Sequence, residues 1–425
     1  KCLKKMEKFK VDKVKEISRL KNEPKWMEDF RVKAFEKFKE LSNPTFGPEL
    51  KLDFDEINYY KKVQDHISND WNDLPVSIKE TFDKIGLPEA EKKYLAGTHA
   101  QYESETIYHN MLEELVKKNV IFCDTDTGLK MYPELFKKYF NKLVKYDENK
   151  YTALNGAVWS GGTFIYVPKN TKLDRPLQSY FRINTKNMGQ FERTIIIVDE
   201  GSELHYMEGC TAPTYTTDSL HAAVVEIYVG KNAKCRYTTI QNWANNIYNL
   251  VTKRAEVDEG GLMEWIDGNI GSKVNMKYPS CILVGPYAEG RCISVAVATK
   301  DQEQDTGAKM IHLAHHTKSS IISKSIASKG GNATYRGTVN ITKDAEYSKS
   351  YIKCDTIILD EKSKSDTIPI NKVIFKMTEL ENVANLQINH AVILVLISTI
   401  ITMIGGWIPA KIAAKKDAVD ALRTE

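Results

Sequence analysis

The 425-residue chain has no CxxC pair, although it holds seven cysteines: Cys2, Cys123, Cys210, Cys235, Cys281, Cys292 and Cys354. Odd in number and scattered, they argue against a structural zinc site and against a disulfide framework. A reducing compartment is the expected setting. Any cysteine chemistry must then come from residues that the fold brings together. A phosphate loop is also missing: Gly161-Gly162 and Gly330-Gly331 are not followed by GK[ST], so nucleotide hydrolysis is expected of a partner. Charge of one sign is lacking. Sixty basic residues face 56 acidic ones, for a net +4, and no aromatic-interleaved basic stripe signals nucleic acid. The N-terminus, KCLKKMEKFKVDKVKEI, has no apolar core of a secretory signal. It begins at Lys1, not Met, as expected of a fragment. Finally, Asn382 to Ala410 contains no Asp, Glu, Lys or Arg.

What is present divides the chain into three. Residues 1–150 read as mostly helical. Asn22-Glu23-Pro24 marks a helix start, and Met27, Phe30, Ala34, Phe38 and Leu41 then recur on one helical face. Ile107, Met111, Leu112, Leu115 and Val116 form a second apolar stripe. Both stripes read as core-facing helices. From 151 to 369 the sequence turns to short β-branched runs, such as TIIIV (194–198), AAVVEIYV (222–229) and RYTTI (236–240). No helix-length apolar period interrupts them, which means an all-β domain. Turn signals begin at Asp199, Gly230, Asp258 and Gly285, in steps of 31, 28 and 27 residues. A regular step with no Asn-Gly hairpin turn between these runs favours a parallel β-helix, although sandwiches also show regular turns. The last part, 370–425, holds AVILVLISTIITMIGGWI (391–408), long enough for a transmembrane helix. Lys411, Lys415, Lys416 and Arg423 follow it and would put the C-terminus in the cytoplasm. A buried core helix is the alternative.

Several longer strings recur together in one known family. They are ALNGAVWSGGTFIYVPKN (153–170), EGCTAPTYTTDSLHAAVVEI (208–227), YTTIQNW (237–243), NLVTKRA (249–255), EWIDGNIGSK (264–273), DTGAKMIHLA (305–314) and SKSDTIP (363–369). With KNEPKWMEDFR (21–31) and GTHAQYESETIYHNM (97–111), they resemble the SufB family of SUF iron–sulfur cluster assembly scaffolds over roughly residues 15–369. The resemblance implies a mainly β chain: a right-handed parallel β-helix core behind an α-helical N-terminal region, with a helical C-terminal region. It implies a scaffold, not a turnover enzyme, that builds a nascent Fe–S cluster for transfer to apoproteins. The implied partners are the ATPase SufC, SufD or a second SufB copy, and a cysteine desulfurase with its sulfur carrier (SufS with SufE or SufU). Reduced flavin bound by the complex is a further implied cofactor. The implied location is the cytoplasm or the plastid stroma, with membrane tethering through 391–408 if that segment spans.

The same resemblance assigns site residues. Cys210 in EGCTAP matches the family's sulfur acceptor. Cys354 in KCDT matches its second functional cysteine, placed at the partner interface as a cluster ligand. Both are thus candidate Fe–S ligands. Arg182 and Asn184 (YFRIN), Gln241 and Trp243 (QNW) and Lys253 (TKR) match polar positions that line a sulfur route inside the β-helix. A persulfide anion crossing an apolar solenoid needs cationic or N–H partners, because an unpaired buried charge is costly. The plain alternative is that Arg182 and Lys253 are exposed strand residues in ion pairs. Cys123, Cys235, Cys281 and Cys292 read as small buried hydrophobes. His312, His315 and His316 do not converge on a strand, where 312 and 316 share a face and 315 points away. Glu208, Glu264 and Asp267, the acids that a polysaccharide-active β-helix would need in one groove, are scattered in sequence.

After Pro369 the family's C-terminal region is not matched. Its His-Glu-Ala string and ATPase-docking surface have no counterpart, since His390 is followed by Ala391-Val392. Residues from about 371 to 425 instead resemble the last transmembrane helix of FtsX/MacB-type ABC permeases, through GWIPAKIAAKKDAVDALRTE (406–425). A membrane-anchored permease-like fusion, or a truncated and inactive scaffold, is the competing reading.

Overall fold

The computed structural model describes residues 9–64, 66–374, 396–399 and 403. The chain divides into two units, Lys1–Val373 and Ile374–Glu425, and the fold that follows is that of the first. Its β-branched runs become strands because alternate residues have somewhere to bury. In Lys234–Trp243 and Leu262–Gly271 the odd-numbered side chains are buried and the even-numbered ones are not.

Two parallel sheets result. One contains Leu177–Arg182, Glu203–Thr211, Lys234–Trp243, Leu262–Gly271, Glu289–Ala298, Lys318–Ala327 and Lys349–Ile358. The other contains Thr163–Val167, Arg193–Val198, Val224–Val229, Ile247–Val257, Val274–Lys277, Glu303–His312, Asn332–Ile341 and Lys364–Val373. The chain alternates between them and makes a β-solenoid of about seven turns. Register partners Glu203, Lys234, Leu262, Glu289, Lys318 and Lys349 set successive coil steps of 31, 28, 27, 29 and 31 residues. The first three equal the turn spacing read from the sequence.

One turn position repeats on every coil. Asn170, Gly201, Asn232, Gly260, Tyr287, His316 and Tyr347 all adopt left-handed backbone, with φ between 53° and 68°. From Asn170 to His316 their N–H groups bond to the next coil, as in Gly201 to the Lys231 carbonyl at 2.9 Å and Gly260 to the Pro286 carbonyl at 2.9 Å. At Gly260 a Cβ would lie 2.4 Å from Asn232 Oδ1, so a larger residue there would have to displace the Asn232 amide.

The N-terminal region caps and clasps the solenoid. Helix Lys25–Glu40 follows Pro24 as expected and buries Met27, Ala34 and Phe38, together with Arg31. The second apolar stripe is not one helix. Ile107 and Met111 lie on strand Glu105–Met111, antiparallel to Gly97–Tyr102, and Leu115 lies on a short helix, Glu113–Lys117. The reason is tertiary. Gly97–Tyr102 extends the first sheet by pairing with Leu177–Arg182, and the hairpin shields that sheet edge. A helix also interrupts the region read as all-β: Lys150–Val158, capped by Asn149 through a reciprocal box with Thr152. It is held to the sheet by Asn155, whose amide donates to the Glu192 and Ala222 carbonyls at 2.9 and 3.0 Å. Among the described residues no helix is long and apolar enough to cross a membrane. The C-terminal hydrophobic helix expected at 391–408 falls outside the described residues, apart from Leu396–Thr399 and Met403, which are helical.

A buried ion pair pins the segment 141–144 to the second sheet. Glu226 accepts N–H bonds from Asn141, Lys142, Leu143 and Val144 at 2.8–3.1 Å and pairs with Arg193 at 2.7 Å, both side chains fully buried. Removing one partner leaves the other uncompensated, so Glu226→Ala is expected to cost about 3–5 kcal/mol, read from urea unfolding. Burial also holds three histidines neutral. It lowers His99 to about 3, and His109 and His312 to about 4, from 6.5. The unfolded chain therefore binds protons that the folded chain refuses. This stability is present above pH 6.5 and is lost as the pH falls towards 4, with His221, whose pKa is raised, opposing part of the loss. Thermal melts over that range are expected to show a falling Tm.

Candidate functional site

In-register coils stack equivalent positions about 4.8 Å apart, so the solenoid interior is a set of columns. One column reads Glu208, Thr239, Asp267, Ser294, Ser323 and Cys354. The next reads Cys210, Gln241, Asn269, Ala296, Ser325 and Thr356. From the opposite sheet come Lys253 and Lys277, both buried.

These residues form one connected polar chain. The Cys210 thiol faces Glu208 Oε1 at 3.7 Å. Tyr237 OH donates to Glu208 Oε2. Lys253 Nζ lies 3.8 Å from both Glu208 Oε1 and Asp267 Oδ1 and donates to Thr239 Oγ1 at 2.6 Å. Lys277 pairs with Asp267 at 2.9 Å and donates to Gln241 Oε1 at 3.1 Å. Gln241 Oε1 also accepts from Asn249, which continues through Asn275 to Gln304. At the other side His221 Nε2 lies 2.6 Å from Glu192 Oε2, and its ring packs on Trp243 with centroids 4.9 Å apart. Three carboxylates are thus set among three basic groups. Gln241 Nε2, Trp243 Nε1 and Asn269 Oδ1 are buried with no hydrogen-bond partner among the described residues.

The charges adjust to this enclosure. Burial pushes the Cys210 thiol well above its ordinary value, Glu208 and Glu192 push it further, and Lys253 and Lys277 oppose them. Burial works to raise Asp267, but Lys277 and Lys253 hold its carboxyl below the usual range. Burial lowers Lys277, with Asp267 opposing. For His221 burial works downward, and the Glu192 carboxylate overrides it and raises the pKa.

The structure brings together Cys210, Gln241, Trp243 and Lys253. Cys210 and Trp243 share a small apolar cluster with Phe181, Ile183, Met188 and Ile247. Lys253 is not an exposed strand residue, since its side chain has no solvent exposure. Arg182 and Asn184 are elsewhere. Phe181 is the register partner of Cys210, and Arg182 pairs with Thr211, so alternation turns Arg182 to the opposite face. There it donates to Thr211 Oγ1 at 2.8 Å and Asn184 Oδ1 at 3.4 Å. The Asn184 carbonyl accepts from Tyr215 OH at 2.6 Å, which ties down the segment after Cys210. Cys354 is half-buried beside Tyr335; burial raises its pKa and a hydrogen bond with Tyr335 opposes this. Five strand spacings separate its coil from that of Cys210, roughly 24 Å, so the two thiols of one chain do not share a cluster.

Glu208, Asp267, Lys277 and His221 belong to the site without having been assigned to it from sequence. The coil step was the available signal: 31 and then 28 residues carry Glu208 onto Thr239 and Asp267. Glu264, in contrast, faces outward between Arg236 and Arg291. His312 bonds inside to Thr317 and Ser319, while His316 stacks between Tyr287 and Tyr347 at the turn. Among the described residues no group of three or more His, Cys, Asp or Glu is set to hold a metal ion.

Exposure orders the thiols. Cys354 is part-exposed and Cys210 is buried. A maleimide pulse on the native protein is expected to label Cys354 well before Cys210, and denaturant is expected to remove the difference, as read by peptide mass spectrometry.

Two family models cover the chain. The SufBD protein N-terminal region matches residues 12–179, and the SUF system FeS cluster assembly SufBD core domain matches residues 181–380. The core match runs past Pro369, where the motif resemblance stops. Iron–sulfur cluster assembly SufBD family proteins of Staphylococcus aureus (strain USA300) and Staphylococcus haemolyticus (strain JCSC1435) are each 59% identical to the chain over 375 residues, 88% of this chain and 81% of theirs. With a stacked β-solenoid around a buried cysteine, and with both models and relatives matching most of its length, the chain belongs to the SufBD family of iron–sulfur cluster assembly proteins.

Proposed function

We propose that this chain is a scaffold of the SufB type, which accepts persulfide sulfur on Cys210 and passes it through the solenoid towards Cys354. The observation that carries the reading is the buried charge chain from Cys210 through Glu208, Lys253, Asp267 and Lys277. Buried polar atoms without partners are rare in folded proteins and call for an explanation. Gln241 Nε2 and Trp243 Nε1 beside the charge chain are such atoms. They are N–H donors suited to a guest anion. Arg182 and Asn184 serve this reading from the outer face, by anchoring the Tyr215 segment next to Cys210.

The nascent cluster is the cargo. Cys354 supplies one thiolate, and the remaining ligands come from a partner solenoid, SufD or a second copy of this chain. The last strands support such a partner. Among the described residues no strand pairs with the outer edges of Lys349–Ile358 and Lys364–Val373, and Ile357, Leu359 and Ile370 there are more than half exposed. An open apolar strand edge is a template for a second chain. ATP hydrolysis belongs to SufC, and sulfur comes from a cysteine desulfurase through its carrier. The chain itself turns over no substrate.

The test is anaerobic incubation of the full chain with a persulfide donor, followed by ferrous iron and a thiol reductant that brings the transferred sulfur to sulfide. Sulfur is expected on Cys210 in the wild type and not in Cys210→Ala. A brown iron–sulfide chromophore is expected to weaken in Cys354→Ala, which keeps sulfur uptake. Wild-type protein that takes up no sulfur on Cys210 points instead to the SufD-like or inactive member of the pair.

A further inference from the structure

A persulfide is accepted by a thiolate, and the Cys210 side chain is a fully buried thiol. Its proton therefore needs a destination inside the protein. Glu208 Oε1, at 3.7 Å, is the hydrogen-bond partner of the sulfur. The two residues are two apart on strand Glu203–Thr211 and project to the same side. The carboxylate is held on both oxygens. Tyr237 OH donates to Oε2, and Lys253 Nζ lies 3.8 Å from Oε1. Lys253 is fixed in turn by Thr239 at 2.6 Å and by the Tyr237 ring, 4.3 Å from its amine.

We propose that Glu208 is a catalytic residue of sulfur acceptance, taking the Cys210 proton as the sulfur attacks the incoming persulfide. The proposal rests on Cys210 being the sulfur acceptor. Glu208 Oε1 removes the proton from Sγ. The Sγ electron pair attacks the outer sulfur of a donor persulfide, R–S–SH. An S–S bond forms on Cys210 while the donor's S–S bond breaks. The donor leaves as a thiolate and takes the proton held by Glu208. The sum is Cys210–SH and R–S–SH giving Cys210–S–SH and R–SH, with no oxidant or reductant consumed.

The charge distribution favours this route. When the proton crosses, the negative charge passes from Glu208 to a sulfur 3.7 Å away, and the charge total around Lys253 is unchanged. Loss of the proton to bulk water would instead add a second negative charge to a site shut off from bulk solvent, at a large desolvation cost. Glu208 also contributes to raising the Cys210 pKa, after burial itself. A proton resting on Glu208 removes that repulsion.

The test uses the full chain with glutathione persulfide as donor, and follows the added sulfur on the Cys210 peptide by mass spectrometry from neutral to alkaline pH. Glu208→Gln keeps the size of the side chain and removes the base. Loading is expected to slow by about 100-fold at neutral pH and to recover as the pH rises, whereas the wild-type profile is flat there. Glu208→Asp, with a base on a shorter stem, is expected to load at an intermediate rate. Equal rates and equal pH profiles for wild type and Glu208→Gln overturn the proposal while leaving Cys210 as acceptor. If Glu208→Gln loses cooperative unfolding, Tyr237→Phe replaces it. That variant frees one carboxylate oxygen and is expected to move the pH profile without abolishing loading; an unmoved profile overturns the proposal. Wild-type protein that loads no sulfur on Cys210 overturns the acceptor reading, and this proposal with it.

Discussion

A lysine ammonium buried inside a β-solenoid is shut off from bulk water, so carboxylates must reach it from the coils beside it. Lys253 meets this condition by lying between Glu208 and Asp267, which stand two coils apart in one column. Lys277 closes the arrangement on Asp267. Because coils repeat in register, a single inward charge cannot be tolerated alone; its partners have to come from neighbouring rungs. The result is a polar seam through a core otherwise built of Ile, Val, Leu and aromatic side chains. Specific stacking follows from it, since a slip of one residue in a strand would turn its inward charge, Glu208 or Asp267, to the outer face.

The seam gives the molecule two unlike ends. Around Cys210 the lumen is sealed by Phe181, Met188, Trp243 and Ile247, and the Tyr215 hydroxyl fastens the following segment to Asn184. Around Cys354 it is open, with part-exposed strands and no further coil among the described residues. Cys210 thus lies in a closed part of the lumen and Cys354 in a part-exposed one.

The N-terminal region is more than an appendage to the solenoid. Its hairpin extends the first sheet and covers an edge that would otherwise be free to pair. Glu226 and Arg193 anchor the chain at 141–144 from the second sheet. Arg31, fully buried, pairs with Glu23 at 2.6 Å and donates to the Trp159 carbonyl at 2.9 Å, so the long helix is tied to the start of the first coil. The alternation of polar anchors and apolar clusters explains why helical and solenoid parts form one unit.

Much of this was legible in the residues. The β-branched runs and the 31, 28 and 27 residue steps predicted a parallel β-solenoid, because every coil must return to the same two sheets after a fixed length of chain. Strings such as EGCTAP and IQNW carried the family and, with it, Cys210, Gln241, Trp243 and Lys253. Local pattern failed where pairing partners lay far away: Ile107 and Met111 read as helix until Gly97–Tyr102 offered a strand to pair with. The proximity of Glu208 to Lys253, of Lys277 to Asp267, and the outward turn of Arg182 were decided only by tertiary structure. They depend on which side of a strand each residue faces and which coil lies beside it. A sequence repeat states the length of a coil, whereas the register between coils sets which charges meet.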